Sequence, residues 1–149
     1  MTSTEPRHAI LDELSRVSRK MRALFDARVK ERGLTLARAR TLLILSRRGA
    51  LTQRELADEL DIETPTLVRL LDGMETQGFI ERRSVEGDRR AKQIVMTNHG
   101  QSVAAEVSQL ASELRTDVLK GISAEEMAAA LGVLQKMTEN VQAADRTLV

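Results

Sequence analysis

The sequence contains no cysteine, tryptophan or tyrosine, only two phenylalanines, Phe25 and Phe79, and only two histidines, His8 and His99. Without cysteine there is no disulfide framework, thiolate metal site, cysteine nucleophile or thiol redox switch. With two distant histidines, a His-rich metal site or a His-dependent catalytic triad lacks its material. Two aromatic rings do not make a stacking platform for single-stranded nucleic acid. The longest run of apolar or glycine residues, Met127 to Leu134, is far too short to span a bilayer, and no basic-then-apolar leader opens the chain. No nucleophile–base pair, metal cluster or phosphate-cradling glycine loop stands out. The expectation is therefore a protein that is not an enzyme, has no cofactor or metal and does not engage a membrane.

What remains is 149 residues, 42% hydrophobic and 30% charged, enough for one ordinary core. The net charge of +1 hides an asymmetry. Residues 1–50 carry 12 Lys/Arg against 5 Asp/Glu, residues 51–98 carry 7 against 10, and residues 99–149 carry 4 against 7. A basic first third faces two mildly acidic thirds.

Apolar spacing orders the chain. Ile10, Leu14, Val17, Met21, Leu24, Phe25 and Val29 recur every three or four residues, which predicts an amphipathic helix from about Arg7 to Arg32, stopped by Gly33. At 1.5 Å per residue it is a rod of roughly 39 Å. A second helix is expected over Leu36 to Arg48, too continuously apolar for a surface position. Thr52 and Glu55 form a capping box before a short helix bearing Leu56, Ala57 and Leu60. Asp61 and Ile62 turn the chain. Thr64 as N-cap and Pro65 at the first helical position then start another helix, buried through Leu67, Val68, Leu71 and Met74. Phe79–Arg83 and Gln93–Thr97 read as strands around a charged loop over residues 85–90. Helical spacing returns from Asn98 to Gly121, and a second capping box, Ser123 with Glu126, opens a final helix.

The expected fold class is mainly α with a small β-hairpin. Residues 52–97, a helix, a short turn, a helix and a ribbon, have the order of a winged helix-turn-helix. On the second helix, Thr66, Arg69 and Gly73 are expected to face away from the apolar side, with Arg69 able to reach base edges in a major groove. The ribbon adds Arg82, Arg83, Arg89, Arg90 and Lys92 against Glu86 and Asp88. A winged-helix module that binds only protein is the competing reading, favoured by the acidic balance of residues 51–98.

Three stretches resemble the MarR family of bacterial transcription regulators. They are Leu51-Thr-Gln-Arg-Glu-Leu-Ala-Asp-Glu-Leu60, the run from Ile62 through Gly78-Phe-Ile-Glu-Arg82, and Asp88-Arg-Arg-Ala-Lys-Gln-Ile-Val-Met-Thr97. The second and third look most like its SlyA branch. The resemblance covers nearly the whole chain. It implies a cytoplasmic, nucleoid-associated homodimer on double-stranded DNA, with a pseudo-palindromic operator. Residues 1–34 and 99–149 would supply the dimerisation helices and 35–98 the reading lobe. By position, Pro65, Thr66 and Arg69 fall on groove-facing places. Arg90 falls on the minor-groove arginine of the wing, and Asp88 on the carboxylate that orients it. The family also implies release by a small phenol or aromatic carboxylate. Arg28 stands within the apolar stripe of the first helix, where a charge requires a partner. Two readings stay open. One is an ion pair or a snorkelling side chain; the other is an anion pocket formed with Met21, Leu24 and Phe25. The histidines read as surface or capping residues.

Overall fold

The computed structural model describes residues 5–85 and 87–145, without the side chains of residues 85 and 88–91. Six helices and three strands follow in the order α1 (Pro6–Lys30), α2 (Leu36–Arg48), β1 (Leu51–Thr52), α3 (Gln53–Leu60), α4 (Thr64–Thr76), β2 (Ile80–Val85), β3 (Asp88–Met96), α5 (Asn98–Val118) and α6 (Ala124–Ala144). Two compact units divide the chain, Met1–Arg115 and Thr116–Val149.

The first unit is built on one apolar cluster. Phe25 and Val29 of α1, Leu42 and Leu45 of α2, Leu56 and Leu60 of α3, Leu67, Leu71 and Met74 of α4, Ile80, Ile94, and Val107 and Leu110 of α5 all belong to it. The earlier turns of α1 do not: Ile10, Leu11, Leu14 and Val17 are exposed. In the second unit α6 has no buried residue, although Met127, Leu131, Leu134 and Val141 repeat along it. No described helix is long and apolar enough to cross a membrane.

Helix boundaries follow local chemistry. α2 is capped by Thr35, whose hydroxyl accepts from the Arg38 amide at 3.2 Å. Both capping boxes form as the sequence predicts, Thr52 with Glu55 and Ser123 with Glu126. Gly33, Gly49, Gly78 and Gly121 close helices at positive φ, and Asp61 does the same after α3 at φ 54°. Asp is among the few side chains that adopt this conformation readily.

Three expectations are corrected. α4 begins one residue earlier, with Glu63 rather than Thr64 as N-cap and no side-chain cap. Pro65 then lies at the second helical position, where a missing N–H is equally harmless because the first four amides lack helical partners. The charged loop over residues 85–90 is mostly strand: β2 runs to Val85 and β3 starts at Asp88, with a register irregularity at Ser84/Val85. The ribbon also has a third strand. β1 pairs antiparallel with β3, Leu51 opposite Ile94 and Thr52 opposite Gln93, giving the order β1-β3-β2. Ile94, at the centre, is fully buried.

Candidate nucleic-acid interface

α4 is the second helix of the helix-turn-helix, entered from α3 through residues 61–63. Its buried side is Leu67, Leu71 and Met74, with Val68 half-buried. On the opposite side Pro65, Thr66 and Arg69 are all exposed, so these three predicted residues come together on one outward face. Among the described residues no carboxylate pairs with Arg69. At its start α4 borders an open cleft of about 670 Å³ against α3, lined by Arg54, Asp58, Glu63 and Pro65 among others.

Arginines from other elements grip α4 on both flanks. On one, Arg82 of β2 donates through Nη2 to Asp72 Oδ1 at 2.7 Å and to the Val68 carbonyl at 3.3 Å, with Glu75 4.0 Å from Nη1. On the other, Arg38 of α2 lies across Gly73 and donates to Gln77 Oε1. Both observations revise the sequence reading. Arg82 is 21% exposed and turned toward α4 rather than standing out on the ribbon. Gly73 is covered by Arg38 instead of facing a groove. β2 explains the first: side chains alternate along a strand, Ile80 is buried, and Arg82 shares its face. Arg83 takes the other face, is 65% exposed and pairs with Glu81 at 2.9 Å. Lys92 is exposed on β3, across from Ser84. The side chains of Asp88, Arg89 and Arg90 lie outside the described residues.

The first helix of the pair is fixed by its capping box. The Thr52 amide, and then its hydroxyl, hold the Glu55 carboxyl below the usual glutamate range, with a smaller contribution from Arg48. The Arg48 guanidinium also pairs with Glu59, joining the end of α2 to α3.

The residues proposed for an effector are less uniform. Phe25 is buried in the core, Met21 and Arg28 are half-buried, and Leu24 is exposed. His8 and His99 are exposed, and the His99 ring stands 5.2 Å from Phe79. That ring contact, the Arg38–Gly73 packing and β1 were not visible in the sequence pattern. The inward turn of Arg82 was, through strand parity.

Residues 32–91 match the family model for the MarR family. Over the whole fold, the chain is similar to the crystal structure of the transcriptional regulator PA3341, with 42% identity, TM-score 0.81, and 89% of this chain and 98% of that one covered. The fold is also similar to a mutant MarR from E. coli complexed with operator DNA, at 23% identity and TM-score 0.76, covering 87% and 93% of the two chains. A putative MarR family transcriptional regulator from Listeria monocytogenes, complexed with 26mer DNA, matches at 21% identity and TM-score 0.78, covering 88% and 87%. Among the described residues no group of acidic or histidine side chains is placed to hold a metal ion. With the order of its elements, the family match and the 42% identical relative in agreement, the chain belongs to the MarR family of transcription regulators, which are not enzymes.

Proposed function

We propose that the protein is a sequence-specific, double-stranded DNA-binding regulator that works as a homodimer on a pseudo-palindromic operator. The observation that carries this reading is the outward face of α4, where Pro65, Thr66 and Arg69 are exposed together on a helix braced from both flanks. A short, rigid helix of this kind enters a major groove, and Arg69 reaches a base edge there, most often guanine. Arg83, Arg89 and Lys92 add phosphate contacts from the ribbon. Arg90 enters the flanking minor groove, oriented by Asp88. Arg82 is assigned to bracing α4. The two solved relatives in complex with DNA support the same reading.

Residues 1–34 and 99–149 form the dimer base in this proposal and residues 35–98 the reading lobe. The exposed stripes of α1 and of α6 are each covered by a second copy. In this reading the chain is of the SlyA-like branch and works in the cytoplasm at the nucleoid. A small aromatic carboxylate releases it from DNA, with Arg28 meeting the carboxylate and Met21, Leu24 and Phe25 the ring.

Duplex binding measured over a salt series tests the core of the proposal. If the dimer neutralises about 6–10 phosphates, affinity falls roughly 10³–10⁵-fold between 50 and 200 mM salt. The footprint shows two half-sites about 34 Å apart. A flat salt series, or a folded monomer at micromolar concentration in sedimentation, refutes it. Displacement of bound duplex by benzoate, lost in Arg28→Ala, tests the effector.

A further inference from the structure

We propose that Arg38 of α2 is a DNA-backbone anchor, presented beside α4 through the space that Gly73 leaves open. The inference rests on the duplex-binding role proposed above and adds to it a residue from a helix outside the helix-turn-helix.

The geometry begins with an absence on α4. A Cβ at Gly73 would fall on the terminal nitrogen of the Arg38 guanidinium, with Cζ at 3.1 Å and Nε at 3.6 Å. A guanidinium from another helix therefore fills the volume of a missing side chain. Its backbone is fixed as well, since the Arg38 amide donates to the Thr35 cap.

The partner is neutral. Arg16, Arg48, Arg82 and Arg83 each pair with a carboxylate. Among the described residues Arg38 pairs with none; its guanidinium donates only to the neutral Gln77 amide oxygen. A half-buried cation positioned by a neutral group keeps its full charge for an external anion.

Position selects the anion. Gly73 follows Thr66 by seven residues, which places it about 20° away around the helix and roughly 10 Å along it. Arg38 thus emerges on the Thr66 edge of the outward face, while Arg82 occupies the opposite edge. A helix in a major groove about 12 Å wide has a sugar–phosphate strand along each edge, so an edge cation meets phosphate rather than a base. The planar guanidinium fork suits phosphate oxygens.

Salt-dependent binding of the full-length protein to one operator duplex and to an unrelated duplex tests this. Arg38→Gln removes the charge and keeps a hydrogen-bonding amide. It is expected to weaken both complexes equally and to lower the log–log salt slope by about 2 per dimer. The loss is then roughly tenfold larger at 50 than at 200 mM salt. Arg38→Lys retains most of the slope. Gly73→Ala pushes the flexible guanidinium aside. It weakens binding in the parent, an arm that stands even if Arg38→Gln folds poorly, and it adds little to a folded Arg38→Gln. A parent slope that stays steep while Arg38→Gln leaves it unchanged overturns the anchor and leaves the proposed function intact. A shift in base preference instead of a uniform loss also overturns it, because Arg38 then acts by aiming α4. A parent that does not bind duplex overturns both.

Discussion

The Arg82 brace allows a stability prediction with two separable parts. The Arg82 guanidinium joins β2 to α4 through Asp72, Glu75 and the Val68 carbonyl, and the side chain is 21% exposed. Its Asp72 partner is 59% exposed, so removing the arginine strands no buried charge. The pair itself is then worth only about 0.2–1 kcal/mol, as for other solvent-screened pairs. The aliphatic stem contributes separately: its covered methylenes are worth ~0.8 kcal/mol each. Nε also lies buried without an acceptor among the described residues, which lowers the net value of the charge. Arg82→Met keeps the stem and loses the pair, and is expected to cost below about 1 kcal/mol. Arg82→Ala loses both and is expected to cost roughly 2 kcal/mol, near 4–8 °C in Tm at about 2–4 °C per kcal/mol. Denaturant unfolding at fixed protomer concentration measures both, since the stability of the proposed dimer moves with concentration. An Arg82→Met/Asp72→Ala double-mutant cycle isolates the pair. Equal costs for Arg82→Ala and Arg82→Met, or no loss in either, would falsify this partition. Neither variant should change the DNA salt slope, because the guanidinium is turned to α4.

The other expected outcomes concern single residues. Gly100→Ala places a Cβ against the Phe79 carbonyl oxygen, a backbone atom that cannot swing aside, so thermal melts should show a loss of about 1–3 kcal/mol or no folded protein. Glu126 is held below the usual glutamate range by the Ser123 amide and then its hydroxyl. A depressed folded pKa gives stability that is present above the unfolded value near about 4.3 and is lost as pH falls through the folded one. Glu126→Gln should therefore narrow the gap to the parent in acid melts and not at neutral pH; a gap that widens on acidification reverses the sign. Arg69→Ala should cost about 1–3 kcal/mol on the preferred operator and relax base preference at one position per half-site, read by competition binding.

The helices were legible because their signals are local. Three-and-four spacing, two complete capping boxes and four glycines at positive φ mark the boundaries within a few residues. What the pattern missed depends on pairs far apart in sequence. β1 is two residues long, too short to show alternation, and exists because Leu51 and Thr52 meet Ile94 and Gln93. The strands reach further toward the ribbon tip than their apolar cores because backbone pairing continues through charged residues. Charge also misled: five basic residues near the ribbon looked equivalent, yet strand parity sends Arg82 inward and Arg83 outward. The packing of Arg38 on Gly73 joins positions 35 apart and leaves no periodic trace.

The placement of α4 is set from three directions, and this has a mechanical consequence. Arg38 and Arg82 fix its flanks, and its end is tied by Thr97. The Thr97 hydroxyl donates to the Gly78 carbonyl and accepts from the Gly100 amide at 3.0 Å, while the Thr97 amide donates to the Phe79 carbonyl at 3.0 Å. One residue thus bonds the end of α4, the start of β2 and the first turn of α5. Gly100 has no side chain to hold these backbones apart. A rotation of the first turn of α5 must either break those bonds or carry Gly78, and with it α4. Packed joints of this kind transmit displacement because they do not deform continuously. The outward face of α4 is accordingly held through β2 and α5 as well as through α3.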